Sequence, residues 1–241
     1  MSAAANKLPA RGLGALLIAE GLLAFAPVIV LGRAIGWPAS LGKPAAEQLA
    51  AIAAVPDAVA LGYALYLLYS LLVAPLMIGL AARSLGGLQR PLAATVAMFA
   101  GLSALARAIG ILRWLTVLPA LAARHAGADP AARLQIELLF DALTTYGGGI
   151  GEVLGVSLLM AIALGLLCLG ALRSGSLPRA LAGFGFVSAL LLFGLALPTL
   201  GLPIAPPTAL AVTALSLWML AAGGWLMSGK AGYRRAALQP S

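Results

Sequence analysis

Six ionisable side chains, Glu20, Asp57, Arg107, Arg113, Asp141 and Glu152, stand inside or at the edges of long apolar runs. A charge at the centre of a helix in lipid costs on the order of 2.5 to 3.5 kcal/mol, so such groups turn inward and find partners. At about 1.5 Å of rise per residue, Arg107 lies roughly 22 Å and Arg113 roughly 31 Å from the start of their run, while Glu152 sits at roughly 30 Å and Glu20 at roughly 14 Å. Depth therefore pairs Arg113 with Glu152 and leaves Arg107 within reach of Glu20 or of the outer group. Asp57 is a further intramembrane charge partner near the outer interface. Two readings stay open. In one, Arg107, Arg113, Asp141, Tyr146 and Glu152 line a polar cavity in the outer half of a bundle and hold an anionic or zwitterionic small molecule or a lipid headgroup. In the other, the charges neutralise one another and fix how helices pack.

Other chemistry is scarce. The one histidine, His125, and the one cysteine, Cys168, exclude an intrachain disulfide, a bis-histidine haem and a zinc site of the HExxH kind, so no metal and no cofactor are expected. No nucleophile stands beside a base: Ser103 lies one turn from Arg107, a poor general base, and flexible glycines separate Asp141 from Glu152. The expectation is a protein that is not an enzyme. The net charge of +8 suggests nucleic acid at first sight, but the basic residues lie singly or in pairs between apolar runs, which excludes a nucleic-acid patch.

The elements that position these groups follow from composition. Of 241 residues, 62% are apolar and 9% charged, against roughly 45 to 50% and about 25% in soluble domains. A crossing takes about 20 apolar residues. The runs predict one all-α domain over residues 1–241, a polytopic membrane helix bundle with six transmembrane helices at about 12–32, 57–82, 92–120, 150–172, 180–200 and 207–228. The first run is read as a retained span rather than a cleaved signal, because it is long and carries Glu20. Short external amphipathic helices precede the second and fourth spans. One begins at Pro44 and runs through Ala54; the other is capped by Asp129, begins at Pro130 and carries Arg133, Glu137 and Asp141 on one face. Gly147, Gly148 and Gly149 then loosen the chain.

Basic residues orient the bundle. Lys7 with Arg11, Arg83 with Arg90, Arg173 with Arg179, and Lys230 with Arg234 and Arg235 fall in alternate segments that hold none of the seven acids. The positive-inside rule then places both termini in the cytoplasm. Gly147, Gly151 and Gly155 recur at the small-residue spacing that lets membrane helices approach closely. Tyr63, Tyr66 and Tyr69 are read as packing residues, Trp37 and Trp225 as interfacial anchors, and Pro27, Pro75 and Pro198 as kinks. The order of amphipathic helix, span, basic turn and span occurs twice, over 44–120 and 130–200; a parallel duplication would produce it, but two cytoplasmic turns drawn from Arg, Ser, Gly and Leu look alike without one.

Leu139-Phe140-Asp141-Ala142-Leu143-Thr144-Thr145-Tyr146-Gly147, the turn Arg173-Ser174-Gly175-Ser176-Leu177-Pro178-Arg179-Ala180-Leu181-Ala182-Gly183 and the run Arg107-Ala108-Ile109-Gly110 resemble the bacterial membrane family catalogued as domain of unknown function 4386. Thr144 and Thr145 stand where a His-Ser pair is common in that family, and Gly148 and Gly149 replace bulkier residues. The resemblance implies a bacterial inner-membrane protein of about six helices and supplies no mechanism. Functionally, the expectation is a multi-pass protein of the bacterial cytoplasmic membrane that binds or transports a small molecule or lipid. The alternative is a scaffold or regulatory subunit that docks on another membrane protein through the Gly147, Gly151 and Gly155 face.

Overall fold

The computed structural model describes residues 10–228; Lys7, Lys230, Arg234 and Arg235, used above to orient the chain, lie outside the described residues. The described chain is helical throughout: α1 (Ala10–Leu23), α2 (Phe25–Ile35), a 3-10 turn (Ala39–Gly42), α3 (Ala45–Ala54), α4 (Pro56–Ser84), α5 (Pro91–Leu115), α6 (Val117–Ala126), α7 (Pro130–Gly148), a π-helical segment (Gly149–Leu159), α8 (Met160–Ser174), α9 (Arg179–Gly194) and α10 (Thr208–Met227). Five stretches are long and apolar enough to cross a membrane: Ala10–Ile35, Pro56–Ser84, Pro91–Ala126, Pro130–Ser174 and Thr208–Met227. This is a multi-pass membrane protein. The remaining expected span, 180–200, contains the 16-residue helix α9, about 24 Å long at 1.5 Å per residue, followed by turns.

Prolines set where helices stop. A proline removes one backbone donor, and its ring crowds the carbonyl four residues earlier. Accordingly α1 ends at Leu23, four before Pro27, α5 at Leu115, four before Pro119, and α9 at Gly194, four before Pro198. The third span, expected as one helix over 92–120, is thus split at Thr116. Pro75 is tolerated inside α4, which continues past it. Asp129 caps α7 as its residue type predicts, its Oδ1 accepting from the Ala132 N–H at 2.9 Å.

The glycines at 147–149 do not loosen the chain. Helix α7 runs through them into the π segment and α8, giving one 45-residue rod from Pro130 to Ser174. Close packing on α5 compensates for the low helix propensity of glycine. In the first half of the chain, by contrast, Val55 leaves helical geometry between α3 and α4, so the two halves differ at this junction.

The bundle closes as a ring in which α1 packs on α4, α4 on α5, α5 on the π segment and α8, α8 on α9, α9 on α10, and α10 back on α1. At the last seam the backbones meet: a Cβ at Gly14 would lie 2.7 Å from the Gly223 carbonyl oxygen. The basic turns after α4 and α8 are neighbours, with Ser174 Oγ 3.5 Å from the Ser84 carbonyl oxygen. Two separate apolar cores result. The larger joins α1, α4, α5, α8, α9 and α10 around Leu17, Met77, Leu164 and Trp218; the smaller joins α2, α3, α6 and α7 to the ends of α4 and α5 around Leu49, Leu118 and Phe140. On α5, Arg107 falls between Ala104 of the larger core and Ile111 of the smaller.

Candidate functional site

A cleft opens where α4, α5 and the π segment converge beneath Trp37. Its interior, about 30 Å³, has room for one or two water molecules or for the oxygens of one small anion. Tyr63 and Tyr66 of α4 and Trp114 of α5 form its walls with Trp37, while Arg107, Arg113 and Glu152 supply its charges.

Arg113 and Glu152, matched by depth in the sequence, do meet: Nη2 lies 4.0 Å from Glu152 Oε1. Nη1 donates to the Gly110 carbonyl oxygen at 2.7 Å, which anchors the guanidinium to its own helix. The side chain lies across Gly147, where a Cβ would collide with it. Glycine at 147 is therefore what admits Arg113 between α5 and the rod. Glu152 stands at the mouth, its side chain 63% exposed against 11% for Arg113.

Arg107 is buried, 3% exposed. Its guanidinium carbon sits 4.7 Å from the centroid of the Tyr69 ring, a cation–π contact that compensates part of the desolvation. Its Nε has no hydrogen-bond partner, and among the described residues no carboxylate stands within ion-pair distance of it. Glu20, which depth left within reach of Arg107, is not in an ion pair with it. Glu20 is 2% exposed, and both of its carboxylate oxygens are buried without a hydrogen-bond partner.

The aromatic groups hold these charges in place. Tyr63 stacks on Trp114 with centroids 4.5 Å apart, and Trp114 meets Phe140 edge-on at 6.3 Å. Trp37 meets Tyr66 at 6.0 Å and Tyr66 meets Tyr69 at 6.2 Å, so a row of rings leads from the mouth down to Arg107. Trp37, expected as an interfacial anchor, lines the cleft, and Tyr63 and Tyr66 are wall residues as well as packing residues. Their spacing of three in the sequence was the available signal, but it did not say which helix face they shared with an arginine.

Two residues expected here lie elsewhere. Tyr146 is 73% exposed and Asp141 is exposed on α7; neither lines the cleft. Because α7 and the π segment form one rod, the eleven residues from Asp141 to Glu152 carry Asp141 about 16 Å along the axis. Asp57 is exposed in the first turn of α4. Gly147, Gly151 and Gly155 pack against α5 of the same chain: a Cβ at Gly110 would lie 2.7 Å from Gly151 Cα, and one at Gly155 2.8 Å from Arg107 Cγ. That stripe is consumed internally and is no docking surface. A contact the sequence did not signal is His125 Nε2 to Glu137 Oε1 at 2.8 Å, which ties α6 to α7. Among the described residues, no three His, Cys, Asp or Glu side chains gather where a metal ion could take them.

A family model described as Domain of unknown function (DUF4386) matches residues 13–229. No curated protein and no solved structure matches the chain.

Proposed function

We propose, for a chain that belongs to the DUF4386 family, a non-enzymatic role in which the cleft binds an anionic small molecule or the anionic headgroup of a lipid. The observation that carries this reading is the charge count of the cleft: two largely buried guanidinium groups line it, and one carboxylate stands within ion-pair distance. Arginine stays charged at any physiological pH, so Arg107 needs a counter-charge, and its planar donors fit the oxygens of a phosphate or carboxylate. The small interior suits a headgroup or a single oxyanion rather than a drug-sized molecule.

In this reading the protein lies in the bacterial cytoplasmic membrane with both termini cytoplasmic, α9 and the turns after it make the sixth crossing, and the cleft faces the outer half of the bilayer. Helix α3 and the first part of α7 then lie at the outer surface. A scaffold role would have to use another face, because the glycine stripe is already packed on α5.

The test is native mass spectrometry of the gently extracted protein. The wild type is expected to carry an anionic lipid or small anion that Arg107→Gln and Arg113→Gln release while keeping wild-type helicity. Folded variants that retain the same bound species would overturn the reading.

A further inference from the structure

The cleft collects hydrogen-bond donors that have nothing to bond. Among the described residues, the buried side-chain polar atoms without a partner are Tyr63 Oη, Arg107 Nε, Arg113 Nε, Ser70 Oγ and both carboxylate oxygens of Glu20. The first three belong to residues that line the cleft, and each carries a hydrogen to donate. Tyr63 is the least expected of them. A buried tyrosine hydroxyl ordinarily finds a partner, and one left unpaired forfeits its bond to water without replacement. This residue is 2% exposed, and its ring lies flat on Trp114 with centroids 4.5 Å apart and an interplanar angle of 10°, while Phe140 meets Trp114 edge-on. The stack holds the hydroxyl where it is.

Acceptors are scarce on the same lining. Its carboxylate, Glu152, stands at the mouth, and the Gly110 carbonyl oxygen already accepts from Arg113 Nη1 at 2.7 Å. The 4.0 Å from Arg113 Nη2 to Glu152 Oε1 exceeds the about 2.7 to 2.9 Å of a charge-assisted hydrogen bond, so this pair cancels charge without using up the donor. A guest that accepts hydrogen bonds and donates none therefore suits the interior.

Charge and shape narrow that guest. Two guanidinium groups against one carboxylate leave a single positive charge, which matches a phosphodiester, whereas a phosphomonoester carries about −1.5 to −2 at neutral pH. Tyr63 reaches in from α4, and Arg107 and Arg113 from two levels of α5, six residues or about 9 Å apart along its axis. A carboxylate accepts close to its own plane. The oxygens around a tetrahedral phosphorus point in several directions, so they take donors arriving from different walls and heights.

We infer that the cleft is a phosphodiester site in which Tyr63 is the third donor, its hydroxyl joining Arg107 and Arg113 on the two non-ester oxygens. This rests on the cleft being an anion site, and it adds the class of anion and the residue that selects it. The phosphodiester belongs either to a lipid headgroup or to a soluble molecule.

The experiment uses the full chain in a maltoside detergent, which contains no phosphate. The phosphodiester probes are dimethyl phosphate, which is soluble, and dioctanoyl phosphatidylglycerol, which carries the same group on a lipid. Acetate and dioctanoylglycerol hemisuccinate are their matched carboxylates of equal charge. Affinity is read from the rise in Tm across a titration of each probe. The wild type is expected to bind a phosphodiester about tenfold more tightly than its matched carboxylate. Tyr63→Phe keeps the ring and its stack and removes the oxygen alone. Without probe it is expected to melt at the wild-type temperature or above, since an unpaired buried group is gone. It is expected to bind the phosphodiester about tenfold more weakly, the loss of one hydrogen bond to a charged group.

Undiminished phosphodiester binding by Tyr63→Phe would overturn the third donor. A carboxylate bound as tightly as its matched phosphodiester would overturn the class of anion and leave the anion site standing. Phosphodiester binding that persists undiminished in folded Arg107→Gln and Arg113→Gln would overturn the cleft as the anion site altogether. Failure of both phosphodiesters to bind the wild type would remove this inference, while a different anion carried through extraction would keep the broader reading. If Tyr63→Phe does not fold, the wild-type preference for phosphodiester over matched carboxylate decides. Binding of the lipid alone assigns the group to a headgroup, and binding of both probes to the phosphodiester itself; either supports the site if Tyr63→Phe weakens it.

Discussion

Gly110 and Gly151 face one another so closely that a methyl group on Gly110 would come within 2.7 Å of the opposing Cα. The obstacle is backbone, which cannot swing aside as a side chain can. Gly110→Val is therefore expected to push α5 from the rod and cost about 1 to 3 kcal/mol, read as a lower Tm in detergent. Gly101→Ala, on the same helix with nothing within 4 Å of the added carbon, is expected to be neutral or to stabilise by up to about 1 kcal/mol, because alanine loses less chain entropy in a helix. Equal melting of the two variants would show that this approach is not what joins α5 to the rod. At this scale the sequence was informative about Arg113 and Glu152, because helical rise is regular enough for depth to be counted from either end of a span. It was uninformative about Asp141 and Tyr146. Tyr146 lies six residues before Glu152, about a third of a turn off its direction in a regular helix, and direction around the axis depends on where the π segment begins.

The π segment, Gly149–Leu159, is the element on which the site depends. π-Helix is rare, occurs mostly as single-turn bulges within α-helices, and is frequent at functional sites; here it runs for 11 residues. Two of its carbonyls also accept from hydroxyls: Ser103 Oγ of α5 donates to the Gly155 carbonyl oxygen at 2.8 Å, and Ser157 Oγ donates to that of Glu152 at 3.0 Å. Ser103 is wholly buried, so Ser103→Ala removes a shielded hydrogen bond between α5 and the segment. The expected loss is about 0.5 to 1.5 kcal/mol, together with faster amide hydrogen exchange confined to residues 149–159. Wild-type exchange there would show that the segment stands without this support. Nothing in the spacing of Gly147, Gly151 and Gly155 distinguished a π segment from an α-helix, since residues four apart stay near one stripe in both. The helix break at Thr116, in contrast, was legible in Pro119 once the carbonyl four residues earlier is considered.

For the whole molecule, the number of crossings decides where the ends lie. Six crossings put both termini on one side; five would put them on opposite sides. Cys168 is fully buried, so with Cys168→Ala single cysteines can be introduced and labelled from either face of sealed inverted or right-side-out vesicles. The expected pattern is cytoplasmic labelling at Gly86→Cys and Ser176→Cys, and labelling from the opposite face at Ala128→Cys and Ile204→Cys. Labelling of Ile204→Cys from the cytoplasmic face would remove α9 as a crossing.

Composition alone determined that this chain is a helical membrane protein, because 62% apolar residues and 9% charged ones leave too much hydrocarbon for the interior of a soluble domain. The regular rise of a helix then set the depth of each buried charge. The angle at which each side chain leaves its helix was decided by the tertiary structure, through the π segment, the glycine contacts and the proline breaks. Two helices meet across an interface of many weak contacts, and their mutual rotation is a property of all of them together. That rotation put Trp37, Tyr63, Tyr66 and Trp114 around the arginines, turned Asp141 and Tyr146 away, and enclosed the Glu20 carboxylate without a hydrogen-bond partner.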